Sequence, residues 1–272
     1  MRKAAETRCT VTPPAAYIGG KRNLAKRITA IIDQVDHVTY CEPFVGMGGI
    51  FLRRSRPAKV EVINDISLDV ITLFRILQEH YPYFIDLLRF RVASRAEFER
   101  LIKTDPATLT DLQRAARFLY LQRLAFGGKV QNRAFGVSAQ TPSRFNVTKL
   151  EPMLAEIHER LVGVIIERLP YADFITRYDK PETLFYLDPP YFGCEDDYGD
   201  GVFGREDFAA MAAQLTGIRG RFLMSINDRP QIREAFAAFE LTPIETTYSI
   251  GTKDLRAGQP AAELLISNFP LP

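Results

Sequence analysis

Asp188-Pro189-Pro190-Tyr191 is the stretch of this sequence best equipped for chemistry. It follows the apolar run 183–187, which reads as a buried strand. Ligands of open α/β sheets sit beyond the carboxyl ends of such strands. Neither proline carries an N–H, so the local backbone offers only acceptors. The Asp188 carboxylate and the Pro189 carbonyl are then two acceptors side by side, matched to the two N–H donors of an exocyclic amino group. Tyr191 adds a ring face on which a base can stack.

A second constellation suits a nucleotide-like cofactor. Glu42-Pro43-Phe44-Val45-Gly46-Met47-Gly48-Gly49 follows an apolar strand, and glycine there lets backbone approach a ligand closely. Asp65 ends the next strand, where a carboxylate can accept both hydroxyls of a ribose. A dinucleotide fingerprint would place a third glycine at position 51, which is Phe51, and no Gly-Lys-Ser/Thr phosphate loop is present. Glu42 would repel a pyrophosphate. It suits a ligand bearing positive charge, such as the ammonium and sulfonium of S-adenosylmethionine.

The elements that must hold these residues alternate. Apolar spacing predicts a helix over 21–35, a strand over 37–44, the start of a helix over 50–54, a strand over 59–64 and a helix over 67–80. That order is a βαβ unit with parallel strands. Residues 82–150 break the alternation, being helical to about Leu124 and then Gly-rich and basic; they read as a separate, mostly helical insert. Alternation resumes with a helix over 151–161, a strand over 164–168, a short helix over 171–177 and the strand before Asp188. A loop over 192–204, a helix over 205–216, a strand over 221–226 and a helix over 229–239 follow. Strands over 245–250 and 263–268 close the chain.

Composition narrows the class. The chain has 272 residues, 46% of them hydrophobic, and a formal net charge of +2. It can bury a sizeable core and holds no run of about 18 apolar residues, so no transmembrane helix is expected. The N-terminus lacks the apolar core of a signal peptide. Cys9, Cys41 and Cys194 are scattered, which points to reduced thiols in a cytoplasmic protein. No Cys/His cluster has metal-ligand spacing, so no metal is expected. Charge is unevenly placed: residues 112–150 carry Arg114, Arg117, Arg123, Lys129, Arg133, Arg144 and Lys149 and no acidic residue. Such a block is a candidate polyanion surface; the alternative is a solvated helix face and a polar loop.

The ordered set of motifs resembles the Dam-like (D12 class) N6-adenine-specific DNA methyltransferases. The resemblance is carried by Tyr17-Ile18-Gly19-Gly20-Lys21, Glu42-Pro43-Phe44-x-Gly46-x-Gly48, Asn64-Asp65-Ile66, 170–174, Asp188-Pro189-Pro190-Tyr191 and 263–268, in family order. It implies a Rossmann-like α/β methyltransferase sheet, discontinuous over 1–80 and 151–272, with a target-recognition insert over 81–150. It implies S-adenosylmethionine as cofactor, held by Tyr17, Lys21 (pairing the carboxylate of its methionine end), Glu42, Phe44, Gly46, Asp65 (on the ribose), Asp173 and Phe174 (on the adenine), and bordered by Asp188. It implies Asp188, Pro189, Pro190 and Tyr191 as the catalytic corner for an adenine flipped out of duplex DNA. Arg123, Lys129, Arg133 and Arg144 are the candidates for DNA contact. Around 126–132 the Asn and Arg pair expected of a GATC reader is not found, Asn132 standing without an Arg within that stretch, which leaves the recognition sequence open. Cytosine N4, RNA or a protein amide are alternative targets of the same fold, and a silent DNA-binding module is a third reading. A monomer or weak dimer in the cytoplasm, nucleoid-associated when acting on double-stranded DNA, is expected, with no membrane partner.

Overall fold

The computed structural model describes residues 10–136, 140–195, 203–247 and 260–272. In chain order these form α1 (Ala25–Gln34), β1 (Thr39–Glu42), β2 (Val60–Asn64), α2 (Leu68–Glu79), α3 (Tyr81–Leu88), α4 (Arg95–Lys103), α5 (Asp111–Leu124) and α6 (Val147–Leu161). There follow β3 (Ile165–Glu167), α7 (Tyr171–Tyr178), β4 (Thr183–Leu187), α8 (Arg205–Thr216), β5 (Arg221–Asn227), α9 (Pro230–Ala235), β6 (Glu240–Thr247) and β7 (Pro260–Ser267).

The strands make one seven-stranded sheet in the order β3-β2-β1-β4-β5-β7-β6. The first five run parallel, while β7 is antiparallel to both β5 and β6. This is the Rossmann-like methyltransferase sheet that the motifs imply. β4, at its centre, is buried at every position, as a strand covered on both faces must be. Its side chains alternate: Leu184 and Tyr186 join the core beneath α1, α2, α5 and α6, while Phe185 and Leu187 join the one beneath α7, α8 and α9.

Local signals explain several boundaries. The Ser67 hydroxyl caps α2 by accepting from the Val70 N–H, and Thr110 and Gln113 close a reciprocal capping box on α5. β6 is an edge strand, which is why it tolerates Pro243. It begins at Glu240, earlier than the expected 245. The 248–250 end of that expectation lies outside the described residues. The helix expected at 50–54 is a single 3-10 turn, Phe51–Arg53, because the next residue, Arg54, turns inward and is fully buried against Glu61.

Residues 81–150 do not pack as a body of their own. Ala115, Ala116, Phe118 and Leu119 of α5 lie in the same core as Leu73 and Phe74 of α2. The expected boundary at 150/151 also falls inside α6.

Candidate active site

β1, β2 and β4 run parallel and end side by side at Glu42, Asn64 and Leu187. Strand order reverses between β1 and β4, and open α/β sheets bind their ligands in the crevice outside such a switch point. The turn after β1 enters it, with Gly46 and Gly48 at φ +51° and +73°. A Cβ on Gly46 would stand 3.1 Å from the Tyr17 ring, so only glycine lets the turn pass that close beneath the leading segment.

Three carboxyl groups face this crevice, and each is pushed upward by burial. Glu42 rises to about 8, although the Tyr40 hydroxyl donates to its Oε1 at 2.6 Å and works in the other direction. Asp65 rises to about 6 and accepts the N–H of Gly46 on Oδ2 and of Ser67 on Oδ1, both at 2.9 Å. Asp188 is raised by burial, against the pull of Lys21 and Ser225. Behind Glu42 lies a buried ionic cluster. Glu61 accepts from Arg54 at 2.7 Å and from Arg160 at 2.5 Å, and the Arg54 guanidinium lies 3.6 Å from the centre of the Tyr40 ring.

The Asp188 corner is assembled from several parts of the chain. Lys21, 3% exposed, donates from its ammonium to the Asp188 carboxylate and, at 3.0 Å, to the Gly19 carbonyl. The same ammonium stands 4.5 Å from the centre of the Tyr191 ring. The Tyr191 hydroxyl donates to Glu263 of β7 at 2.5 Å. Pro189 and Pro190 are buried beneath.

Tyr17, Lys21, Glu42, Phe44, Gly46, Asp65, Asp188 and Tyr191 therefore converge around one crevice and its mouth. Phe44 is half-buried, 5.6 Å from Tyr171 and 6.1 Å from Phe203 between ring centres. Lys21 meets Asp188, because a buried ammonium needs a counter-charge and the end of β4 supplies one. Phe174 is fully buried on the sheet side of α7, 5.0 Å from the Tyr178 ring, so it packs the core and offers no face to a ligand; Asp173, beside it, is exposed. Glu263, Asn227 and Tyr40 escaped sequence reasoning. Their only signal is a polar residue at the end of, or within, an apolar strand.

The basic segment is largely occupied with its own chain. Arg123 donates to the carbonyls of Arg144 and Pro14 at 2.8 and 3.0 Å, and Arg133 to the Gln122 amide oxygen at 3.2 Å. Arg144 reaches the Ala125 carbonyl at 3.3 Å, Arg114 binds Asp69, and Arg117 donates to the Leu101 carbonyl at 2.8 Å. Lys129 is exposed.

The family model of the D12 class N6 adenine-specific DNA methyltransferases matches residues 17–250. The chain belongs to that family. It is 24% identical to the Type II methyltransferase M.CviBI of Paramecium bursaria Chlorella virus NC1A, over 94% of this chain and 99% of that one. It is 25% identical to the Type II methyltransferase M1.LlaDCHI of Lactococcus lactis subsp. cremoris, over 99% of each. It is 24% identical to the DNA N-6-adenine-methyltransferase of Escherichia phage P1, over 93% of this chain and 36% of that longer one. This D12 methyltransferase is thus an adenine-specific enzyme whose methyl donor is S-adenosylmethionine.

The crevice of this D12 methyltransferase fits that cofactor. The glycine cradle admits a ligand where a Cβ would crowd Tyr17, and the buried carboxyls of Glu42 and Asp65 suit a cationic methionine end and a ribose diol. Among the described residues no group of His, Cys, Asp and Glu could hold a metal ion, and no helix is long and apolar enough to cross a membrane.

Proposed function

We propose that the protein methylates N6 of adenine at one recognition sequence in double-stranded DNA, with the target base extruded into the corner between Asp188 and Tyr191. The observation that carries this reading is the Asp188 carboxylate just past the carboxyl end of β4, paired with the Lys21 ammonium that lies against the Tyr191 ring, and close enough to Glu42 to raise its pKa.

The amino nitrogen of adenine is a poor nucleophile because its lone pair is delocalised into the ring. Asp188 and the Pro189 carbonyl accept its two N–H groups and favour a pyramidal nitrogen with a localised lone pair, a preorganised electrostatic effect. S-adenosylmethionine supplies the electrophilic methyl group when bound. Lys21 must leave Asp188 for the amino group to take its place; the carboxylate of the cofactor's methionine end is the natural acceptor for the released ammonium. Extrusion costs a few kcal/mol, and stacking on Tyr191 returns about 1–3 kcal/mol of it. The exposed Lys129, with its described neighbours in 126–136 and 140–146, is read as facing the DNA backbone. The protein is read as a monomer or weak dimer acting in the cytoplasm, where DNA is accessible.

Modification-sensitive sequencing of DNA from a host expressing the protein tests this reading. N6-methyladenine at a single motif, absent when Asp188→Ala is expressed instead, is the expected result. Methylated cytosine, or methylation that persists in Asp188→Ala, overturns it.

A further inference from the structure

The end of β5 and the reversed β7 bring one polar side chain each to the Asp188–Tyr191 corner. Asn227 ends β5 and stands opposite Glu263 in the β5–β7 register. Its side-chain amide grips the backbone of Phe192 twice: Oδ1 accepts the Phe192 N–H at 3.0 Å, and Nδ2 donates to the Phe192 carbonyl at 2.9 Å. Glu263, 1% exposed, accepts the hydroxyl of the preceding residue, Tyr191, at 2.5 Å. One cross-strand pair thus holds two consecutive residues just past the two prolines.

Burying a carboxylate is costly unless it is hydrogen-bonded, and neighbouring positions of β7, Leu264, Leu265 and Ile266, are apolar and fully buried. A glutamate among them calls for a use. The prolines fix φ on one side of Tyr191, and Asn227 fixes the backbone on the other. The ring would still swing about the Cα–Cβ bond; a hydroxyl anchored at its far end stops that swing, and because a phenol O–H prefers to lie in the ring plane, its fixed acceptor also favours one turn of the ring about Cβ–Cγ. A stacking face held in advance loses less freedom when a base arrives.

We propose that Glu263 is a positioning residue of the transfer reaction: it sets the plane of the Tyr191 ring against which the extruded adenine stacks, with Asn227 fixing the backbone beneath. This rests on the reading of Tyr191 as the stacking residue.

The test measures kcat, the KM for DNA, the Kd for S-adenosylmethionine and the fluorescence of 2-aminopurine replacing the target adenine. The substrate is a duplex carrying the motif found by sequencing. Glu263→Ala and Tyr191→Phe each lower kcat about tenfold or more and alter the 2-aminopurine signal, while cofactor affinity stays within about twofold. Glu263→Gln, which keeps an oxygen acceptor, recovers most of the loss. The double variant Tyr191→Phe/Glu263→Ala is no slower than the slower single one, since both remove the same interaction. Losses that multiply in the double variant, or wild-type kcat in Glu263→Ala, overturn the proposal. Should Glu263→Ala fail to fold, Tyr191→Phe decides, and wild-type kcat there overturns it equally. Tyr191→Ala separates the two readings. Full transfer in that variant defeats stacking and positioning together, whereas its loss alongside an unimpaired Glu263→Ala defeats positioning alone.

Discussion

The ammonium of Lys21 sits on the carboxylate of Asp188, under the ring of Tyr191. A cation from the first motif of the chain therefore occupies the acceptor that the proposed transfer uses. The two residues are 167 positions apart, and the pairing joins the leading segment to the end of β4 at the centre of the crevice.

Lys21→Met keeps most of the packing of the stem and removes the charge. Burial already raises Asp188, and Lys21 is the largest influence opposing that rise. Without it the Asp188 carboxyl climbs further, because the nearby positive charge that favours its ionised form is gone. The acid limb of the pH–rate profile is expected to move to higher pH. A profile unchanged from wild type would show that Asp188 does not depend on Lys21.

Glu42 and Asp65 bind protons more tightly folded than unfolded. Their ordinary values of 4.5 and 3.8 rise to about 8 and about 6. The stability they contribute is fully present below the ordinary values. It is lost as pH rises through about 6 for Asp65 and about 8 for Glu42. The Tm measured without cofactor is expected to fall progressively between pH 4.5 and 8. A cationic cofactor end favours ionised Glu42, so binding should release a proton near neutral pH and tighten toward pH 8. Calorimetric titration in buffers of different ionisation enthalpy measures that proton, and Glu42→Gln should abolish its release. Tyr40→Phe removes the donor that favours the carboxylate and shifts the midpoint further upward.

Glu61 holds two buried guanidinium groups at once. Glu61→Ala leaves both Arg54 and Arg160 without their counter-charge in the core. A loss of about 3–5 kcal/mol is expected, read as a lower midpoint in urea denaturation. The effect should appear in stability before it appears in cofactor affinity of the folded fraction.

Arg123 and Lys129 are expected to behave differently although both are basic and lie on one short segment. Arg123 ties the carbonyls of Pro14 and Arg144 together, so Arg123→Ala should lower Tm and disturb the segment as a whole. Lys129 is exposed, so Lys129→Ala should leave Tm unchanged. If Lys129 binds phosphate, its removal should make the slope of log K against log salt shallower by about 0.9 for each phosphate it neutralises. Binding isotherms over a range of salt concentrations check this.

The sheet and its site were legible where one physical signal dominated. Carboxylates that end apolar runs, at Glu42, Asp65 and Asp188, mark the strand ends where the site lies. The glycine turn marks a close backbone approach, since a Cβ at Gly46 would crowd Tyr17. The use of the basic block was hidden, because its partners are backbone carbonyls of Pro14, Leu101, Ala125 and Arg144, which any residue could supply. Phe174 was misleading for a related reason: an aromatic beside an acidic residue reads the same whether it faces a ligand or the sheet. Glu263 was unreadable until strand reversal carried it across to Tyr191.

Helices α5 and α6 carry part of the main core at the same time as they flank the basic segment. Chimeras made to retarget this enzyme should therefore exchange only the stretch between the end of α5 and the start of α6. Swapping whole inserts between relatives would replace side chains moulded against α2, and such hybrids would collapse for want of interior fit, whatever bases the donor loop could read.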